Sequence, residues 1–142
     1  MRDIKFRAFD KLSKMFIANG FHIIGETTMF GAIDAFIKNN RGGKSFLERY
    51  EDIVIQQYTG LKDKNGNEIY EGDILKFQEN DDPEDLNWII GDVVFWEGAF
   101  RLKHVEYETL SEFIMERKDY NLDMDIVGNI FENPELLKTE NI

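Results

Sequence analysis

The stretch YTGLKDKNGNEIYEGD, residues 58–73, sets carboxylates, amides and glycines close enough together to suggest a cation or phosphate site. A calcium loop of the EF-hand kind takes oxygen ligands at its positions 1, 3 and 5, glycine at 6 and a bidentate glutamate at 12. Counted from Asp63, Gly66 falls at position 4, and the register that moves it to position 6 puts Leu61 first. Calcium fails on register. A phosphate loop needs repeated glycines followed by Lys-Ser/Thr at a helix start, and neither is present. What Asn65 and Gly66 suit is the central pair of a type I′ hairpin turn, with positive φ at both and Leu61 and Ile69 as inward anchors of its arms. Gly72 with Asp73 breaks the chain again before Ile74, Leu75, Lys76 and Phe77.

The remaining reactive side chains form no catalytic pattern. His22 lies in the apolar stretch FHII and His104 beside Val105, both reading as structural or surface residues. Ser13, Ser45 and Ser111 sit in no G-x-S-x-G context, and carboxylate pairs are too numerous to single one out. Residues 78–87, QENDDPEDLN, hold five carboxylates and Pro83, but their spacing selects no metal geometry and reads as a solvated loop. Without cysteine there is no disulfide, thiolate nucleophile or cysteine-based metal site. The expectation is a chain with no catalytic residue, no cofactor and no metal.

Charge narrows the partners. Residues 1–78 carry 12 Lys/Arg against 11 Asp/Glu, whereas 79–142 carry 5 against 17, so the whole net charge of −11 comes from the second half. Phosphate backbones are bound by Lys and Arg, so nucleic acid is disfavoured. Arg2, Asp3, Lys5 and Arg7 interrupt any secretory signal, and no apolar run exceeds four residues, which leaves a cytoplasmic protein as the expectation. At 142 residues, with 42% apolar and 13% aromatic side chains, one folded domain is expected over 1–142.

The elements that must position these residues are mostly strands. Ile4, Phe6 and Ala8 alternate with Lys5, Arg7 and Phe9 as in a half-buried strand, and MFIA at 15–18 returns as the second arm after a turn bracketed by Asp10 and Ser13. Met29, Ile33, Phe36 and Ile37 recur at helical spacing from Thr28 to Asn40, with Thr27 or Thr28 as N-cap. Further strands are read at Ile53–Tyr58, Ile74–Phe77, Trp88–Trp96 and Ala99–Leu102, the last two joined by Glu97-Gly98 as part of a meander. Thr109 and Glu112 stand as a capping box before a helix whose face is Leu110, Phe113 and Ile114. Ile126–Phe131 closes as a strand, followed by Asn133 as N-cap and Pro134 at the first helical position. The expected core is Leu61, Ile69, Ile74, Phe77, Val93, Phe95, Ile126 and Ile130.

Three phrases, IKFRAFDKLSKMF, QYTGLKDKNGNEIYEGDILKF and DIVGNIFENPELL, together resemble the YopX family of bacteriophage and prophage proteins. They cover roughly half the chain in order; residues 19–52 and 79–88 have no named counterpart, and Phe9 stands where the family often carries Trp. The resemblance implies an α+β, mainly β fold, an antiparallel meander closing into a small barrel-like sheet. It also implies that 19–52 is a variable, α-containing insertion within one domain. It implies no reaction, because the family has no agreed catalytic residues.

Three functions remain in view. The first is a phage accessory module in the bacterial cytoplasm, whose edges and hairpin tips bind a phage or host protein and which pairs with copies of itself. The second is an acidic decoy for a DNA-binding surface. The third is a small barrel that stacks single-stranded nucleic acid on Tyr58, Tyr70, Phe77, Trp88 and Trp96.

Overall fold

A computed structural model describes residues 3–23, 25, 27–40, 52–78, 88–103, 109–119 and 124–138. The chain parts into two compact units, Met1–Tyr58 and Thr59–Ile142.

In the first unit β1 (Phe6–Asp10) lies between β2 (Met15–Phe21) and the start of β3 (Ile53–Lys62), antiparallel to both. The expected alternation is not seen: Arg7, Ala8, Phe9 and Asp10 are all buried, Ala8 in the core with Ile17 and Ile33, Arg7 and Phe9 against the Phe16 ring. Ile4, ahead of the strand, is exposed. Buried Arg7 donates from Nε to Gln56 Oε1 at 2.8 Å, and its guanidinium stands 4.6 Å from the Phe16 ring centroid. Asp10 makes the hairpin turn, accepting the Leu12 N–H on its carboxylate at 3.0 Å and the Lys14 N–H on its carbonyl at 2.8 Å. Helix α1 (Met29–Asn40) starts as its sequence predicts, with Thr28 Oγ1 accepting the Gly31 N–H at 3.1 Å. Ala32 and Ile33 enter a core with Ala8, Ile17, Ala18, Phe21 and Ile53, and Met29 packs against it. Phe36 and Ile37 lie outside the described side chains.

In the second unit the end of β3 neighbours β4 (Glu68–Tyr70). A four-stranded sheet follows in the order β7-β6-β5-β8, from β5 (Asp73–Gln78), β6 (Trp88–Trp96), β7 (Ala99–Leu102) and β8 (Met124–Asn129). The pairs β5–β6, β6–β7 and β5–β8 are antiparallel. Helix α2 (Leu110–Asp119) begins with Thr109 Oγ1 accepting the Glu112 N–H at 3.4 Å, and Leu110 and Phe113 are buried. They close a core with Ile69, Leu75, Phe77, Val93, Leu102 and Met124, in which the Phe77 and Phe113 rings meet edge to face at 4.6 Å. One sheet is a half-barrel, and the chain is α+β, mainly β. No helix among the described residues is long and apolar enough to cross a membrane. Residues 79–87, read from the sequence as an acidic loop, and His104 lie outside the described residues.

Two expectations about the chain end are corrected. Strand β8 stops at Asn129 rather than Phe131, because the Asn129 carboxamide oxygen accepts the N–H groups of Phe131 and Glu132 at 3.0 and 2.9 Å and turns the chain there. Asn133 does not cap the 3₁₀ turn Pro134–Leu137 with its side chain. Its Oδ1 faces back and accepts the Asn129 N–H at 3.3 Å. That approach needs glycine at 128, where a Cβ would stand 2.5 Å from Asn133 Oδ1.

Gly128→Ala is therefore expected to destabilise by roughly 1–3 kcal/mol through overpacking, read by thermal or urea denaturation. Unchanged stability would refute the close approach. A second expectation concerns acid. Asp3 accepts from His22 Nε2 at 2.8 Å with Lys5 Nζ at 3.5 Å, and the His22 hydrogen bond, aided by Lys5, holds its carboxyl below the ordinary value. A lowered folded-state value gives stability that is present above the ordinary value and lost as pH falls through the lowered one. The melting-temperature difference between wild type and Asp3→Asn is thus small, present at neutral pH, and absent in strong acid; a pH-independent difference would refute the pairing.

Candidate interaction surface

Residues 63–67 are a turn, as expected, but of another type. Of the Asn65-Gly66 pair only Gly66 has positive φ, at 83°. The Gly66 N–H donates to Asp63 O at 3.1 Å and the Asp63 N–H to Asn67 O at 2.9 Å, the pattern of a type I turn followed by a left-handed glycine. The type I′ expectation fails because Asp63 organises this loop. Its buried carboxylate accepts the N–H of Asn65 at 3.0 Å and of Asn67 at 2.9 Å on Oδ1. Oδ2 accepts from Asn67 Nδ2 at 3.4 Å and from the Ile126 N–H of β8 at 3.3 Å. Two further contacts seat the turn on β8, Asn65 Nδ2 donating to Asp125 Oδ1 at 2.9 Å and Lys64 Nζ standing 3.7 Å from Asp125 Oδ2. Carboxylate oxygens turned to N–H donors build a joint. Gly72 is held as firmly, its N–H donating to Val93 O at 2.8 Å and its carbonyl accepting the Ile130 N–H at 2.9 Å. The next carboxylate, Asp73, accepts the Tyr70 N–H at 2.8 Å.

Of the five aromatic residues named from the sequence, Phe77 is fully buried in the core of the second unit. Tyr58 and Tyr70 are each only 5% exposed, with Lys5 Nζ 5.0 Å from the Tyr58 ring centroid. Trp88 and Trp96 are 39% and 55% exposed but occupy opposite ends of β6. Eight residue steps of strand separate them by about 26 Å, too far for one stacked base to bridge. Lys76 Nζ lies over the Trp88 ring, 5.0 Å from its centroid.

Exposed aromatic residues stand instead at the far end of β6. Burial falls along the strand from Val93 to Phe95 and Trp96, so Phe95, expected in the core by its even spacing from Val93, is 54% exposed. Alternation puts a side chain on a face, and burial requires that the core extend that far. Here it does not. Glu97 and Gly98, with φ of 48° and 78°, form the two-residue loop between the paired residues Trp96 and Ala99, which makes this a type I′ hairpin. The Phe95 ring meets that of its cross-strand partner Phe100 edge to face at 5.2 Å, and Arg101 Nε donates to Trp96 O at 2.9 Å. The tip is paired to its end and carries exposed rings. Its signal in the sequence was VVFW-EG-AF: two aromatics meeting a tight turn at the end of a strand.

Comparison with known proteins follows the same chain. The family model described as YopX protein matches residues 5–138, and the chain belongs to that family. The crystal structure of protein EF1440 from Enterococcus faecalis is similar at 27% identity and a TM-score of 0.62, covering 96% of this chain and 99% of that one. The crystal structure of protein yopX from Bacillus subtilis shares the fold at 18% identity and a TM-score of 0.53, covering 96% and 98%. No curated protein matches significantly.

Removal of Asp63 tests the joint. Asp63→Ala leaves backbone donors of the turn and of Ile126 without their acceptor and is expected to cost about 2–4 kcal/mol, while Gly66→Val costs about 1 kcal/mol or more through its positive φ. Denaturation curves indistinguishable from wild type would refute both assignments.

Proposed function

We propose that this YopX-family chain is a phage- or prophage-encoded accessory protein, a non-catalytic module that binds a phage or host protein through the β6–β7 hairpin tip. The observation that carries the reading is the pair of rings at 95 and 96, each more than half exposed on a hairpin held by cross-strand and side-chain contacts. Large aromatics on a rigid support supply contact area at little ordering cost and dominate binding energy where a partner buries them. Nothing in the described chemistry asks for a substrate: His22 is engaged with Asp3 on the surface, and the carboxylate of Asp63 is engaged with backbone donors. Self-association in the cytoplasm belongs to the same reading.

The second reading, an acidic decoy of a DNA-binding surface, is supported by the imbalance of 17 acidic to 5 basic residues after position 78. It is separated from the first by salt and by residue. A decoy interaction weakens steeply with salt and is lost when Glu79, Asp81, Asp82, Glu84 and Asp85 are neutralised together. A hairpin interaction responds to the rings.

Affinity capture from infected or lysogenic cells tests this. Wild type is expected to retain a defined partner, and Phe95→Ser with Trp96→Ala to lose it by about 2–4 kcal/mol of binding, with the fold kept and the melting temperature lowered only by the loss of the Phe95–Phe100 ring contact. Retention of the same partner by the double variant would sink the reading. Single-stranded DNA or RNA is expected not to bind even at low salt, and binding that Trp88→Ala or Trp96→Ala weakens would restore the nucleic-acid alternative.

A further inference from the structure

The geometry points to Asn65 as a site of spontaneous deamidation that the fold restrains through Asp125, and whose product releases the 63–67 turn from β8. The reaction needs an asparagine followed by an unencumbered backbone nitrogen. Gly66 provides one, on an exposed turn, with nothing within 4 Å of where its Cβ would be. Hydroxide removes the Gly66 amide proton, the nitrogen attacks Asn65 Cγ, the N–Cγ bond forms, and the Cγ–Nδ2 bond breaks as Nδ2 takes a proton from water and leaves as ammonia. Water then opens the resulting succinimide at either carbonyl, leaving aspartate or isoaspartate at position 65. Base and water are the only co-reactants.

Both reacting groups are occupied in the folded turn. Asn65 Nδ2 donates to Asp125 Oδ1 at 2.9 Å, and the Gly66 N–H donates to Asp63 O at 3.1 Å. The side chain must leave Asp125 before Cγ can meet the nitrogen, and an N–H already donated to a carbonyl loses its proton less readily. The reaction therefore proceeds from the opened turn.

Its product cannot close again as before. A carboxylate at 65 has no N–H to offer and would face the Asp125 carboxylate across a former hydrogen-bond distance, where like charges repel. The other charges at the turn are Lys64, whose Nζ is 3.7 Å from Asp125 Oδ2 and offsets part of the repulsion, and Asp63, which adds to it. Isoaspartate also lengthens the backbone by one carbon and breaks the Gly66-to-Asp63 register. Opening permits the chemistry, and the chemistry keeps the turn open. This inference stands apart from the hairpin-tip function.

The full chain is incubated in mildly alkaline buffer at physiological temperature and followed by intact mass, charge isoforms and peptide mapping for isoaspartate. Modification is expected at Asn65, absent in Asn65→Gln, and about three- to tenfold faster in Asp125→Ala, the effect of releasing one hydrogen bond. Equal rates in wild type and Asp125→Ala, or modification confined to other asparagines, would overturn the restraint. A second pair of variants does not depend on how Asp125→Ala folds: Asn65→Asp is expected to lower the melting temperature and speed exchange of the Ile126 N–H. Adding Asp125→Asn restores both, since the amide then donates in the opposite direction. Failure of that restoration would overturn the coupling to β8.

Discussion

The carboxylate of Asp63 is the contact on which the second unit depends. A tight turn leaves backbone N–H groups that neither strand can use, and buried donors must be satisfied. Asp63 takes two of them on one oxygen and, on the other, the N–H of Ile126, 63 residues further along the chain. One side chain thus closes the loop after β3 and draws β8 beside it. The same device recurs where Asp73 accepts the Tyr70 N–H and Asn129 accepts those of Phe131 and Glu132. The carboxylate bonds of Asp63 and Asp73 are charge-assisted and stronger than the neutral ones of Asn129, and a short polar side chain at each turn holds strands whose own loops are brief.

These interactions explain what could be read ahead of the structure. Strands β6 and β7 and the start of α1 were legible because their signals are local: β-branched runs, a Gly-containing turn, a threonine one turn before an apolar stripe. The turn at 63–67 was legible as a turn but not as to type, since Asn-Gly suits several loops and the choice was made by Asp63 and by β8, both outside the pair. Asn133 shows the same limit. Its place before Pro134 reads as a cap, but Gly128 leaves room for its side chain to fold back onto β8.

The candidate surface was harder to read for a different reason. Period 2 correctly puts Phe95 on the same face as Val93, yet exposure is decided by where the core ends, and that is set by Leu102, Leu110 and Phe113 from later in the chain. Burial is a tertiary quantity. Tyr58 and Tyr70 illustrate the converse: aromatic type suggested a binding role, and position in the sheet gave each a buried ring.

The three phrases that carry the family resemblance contain Asp10, Asp63, Gly66, Gly72, Asp73, Gly128, Asn129 and Asn133, all of them turn-makers or their seats. A change at such a position costs fold stability. The β6–β7 tip lies between the second and third phrases, outside both. There, rings stand on a type I′ hairpin whose geometry rests on backbone pairing and on Gly98, and their identity can change without disturbing the core. The architecture itself is shared with the Enterococcus faecalis protein at 27% identity over nearly the whole chain, so a fold of this kind tolerates change at most of its positions.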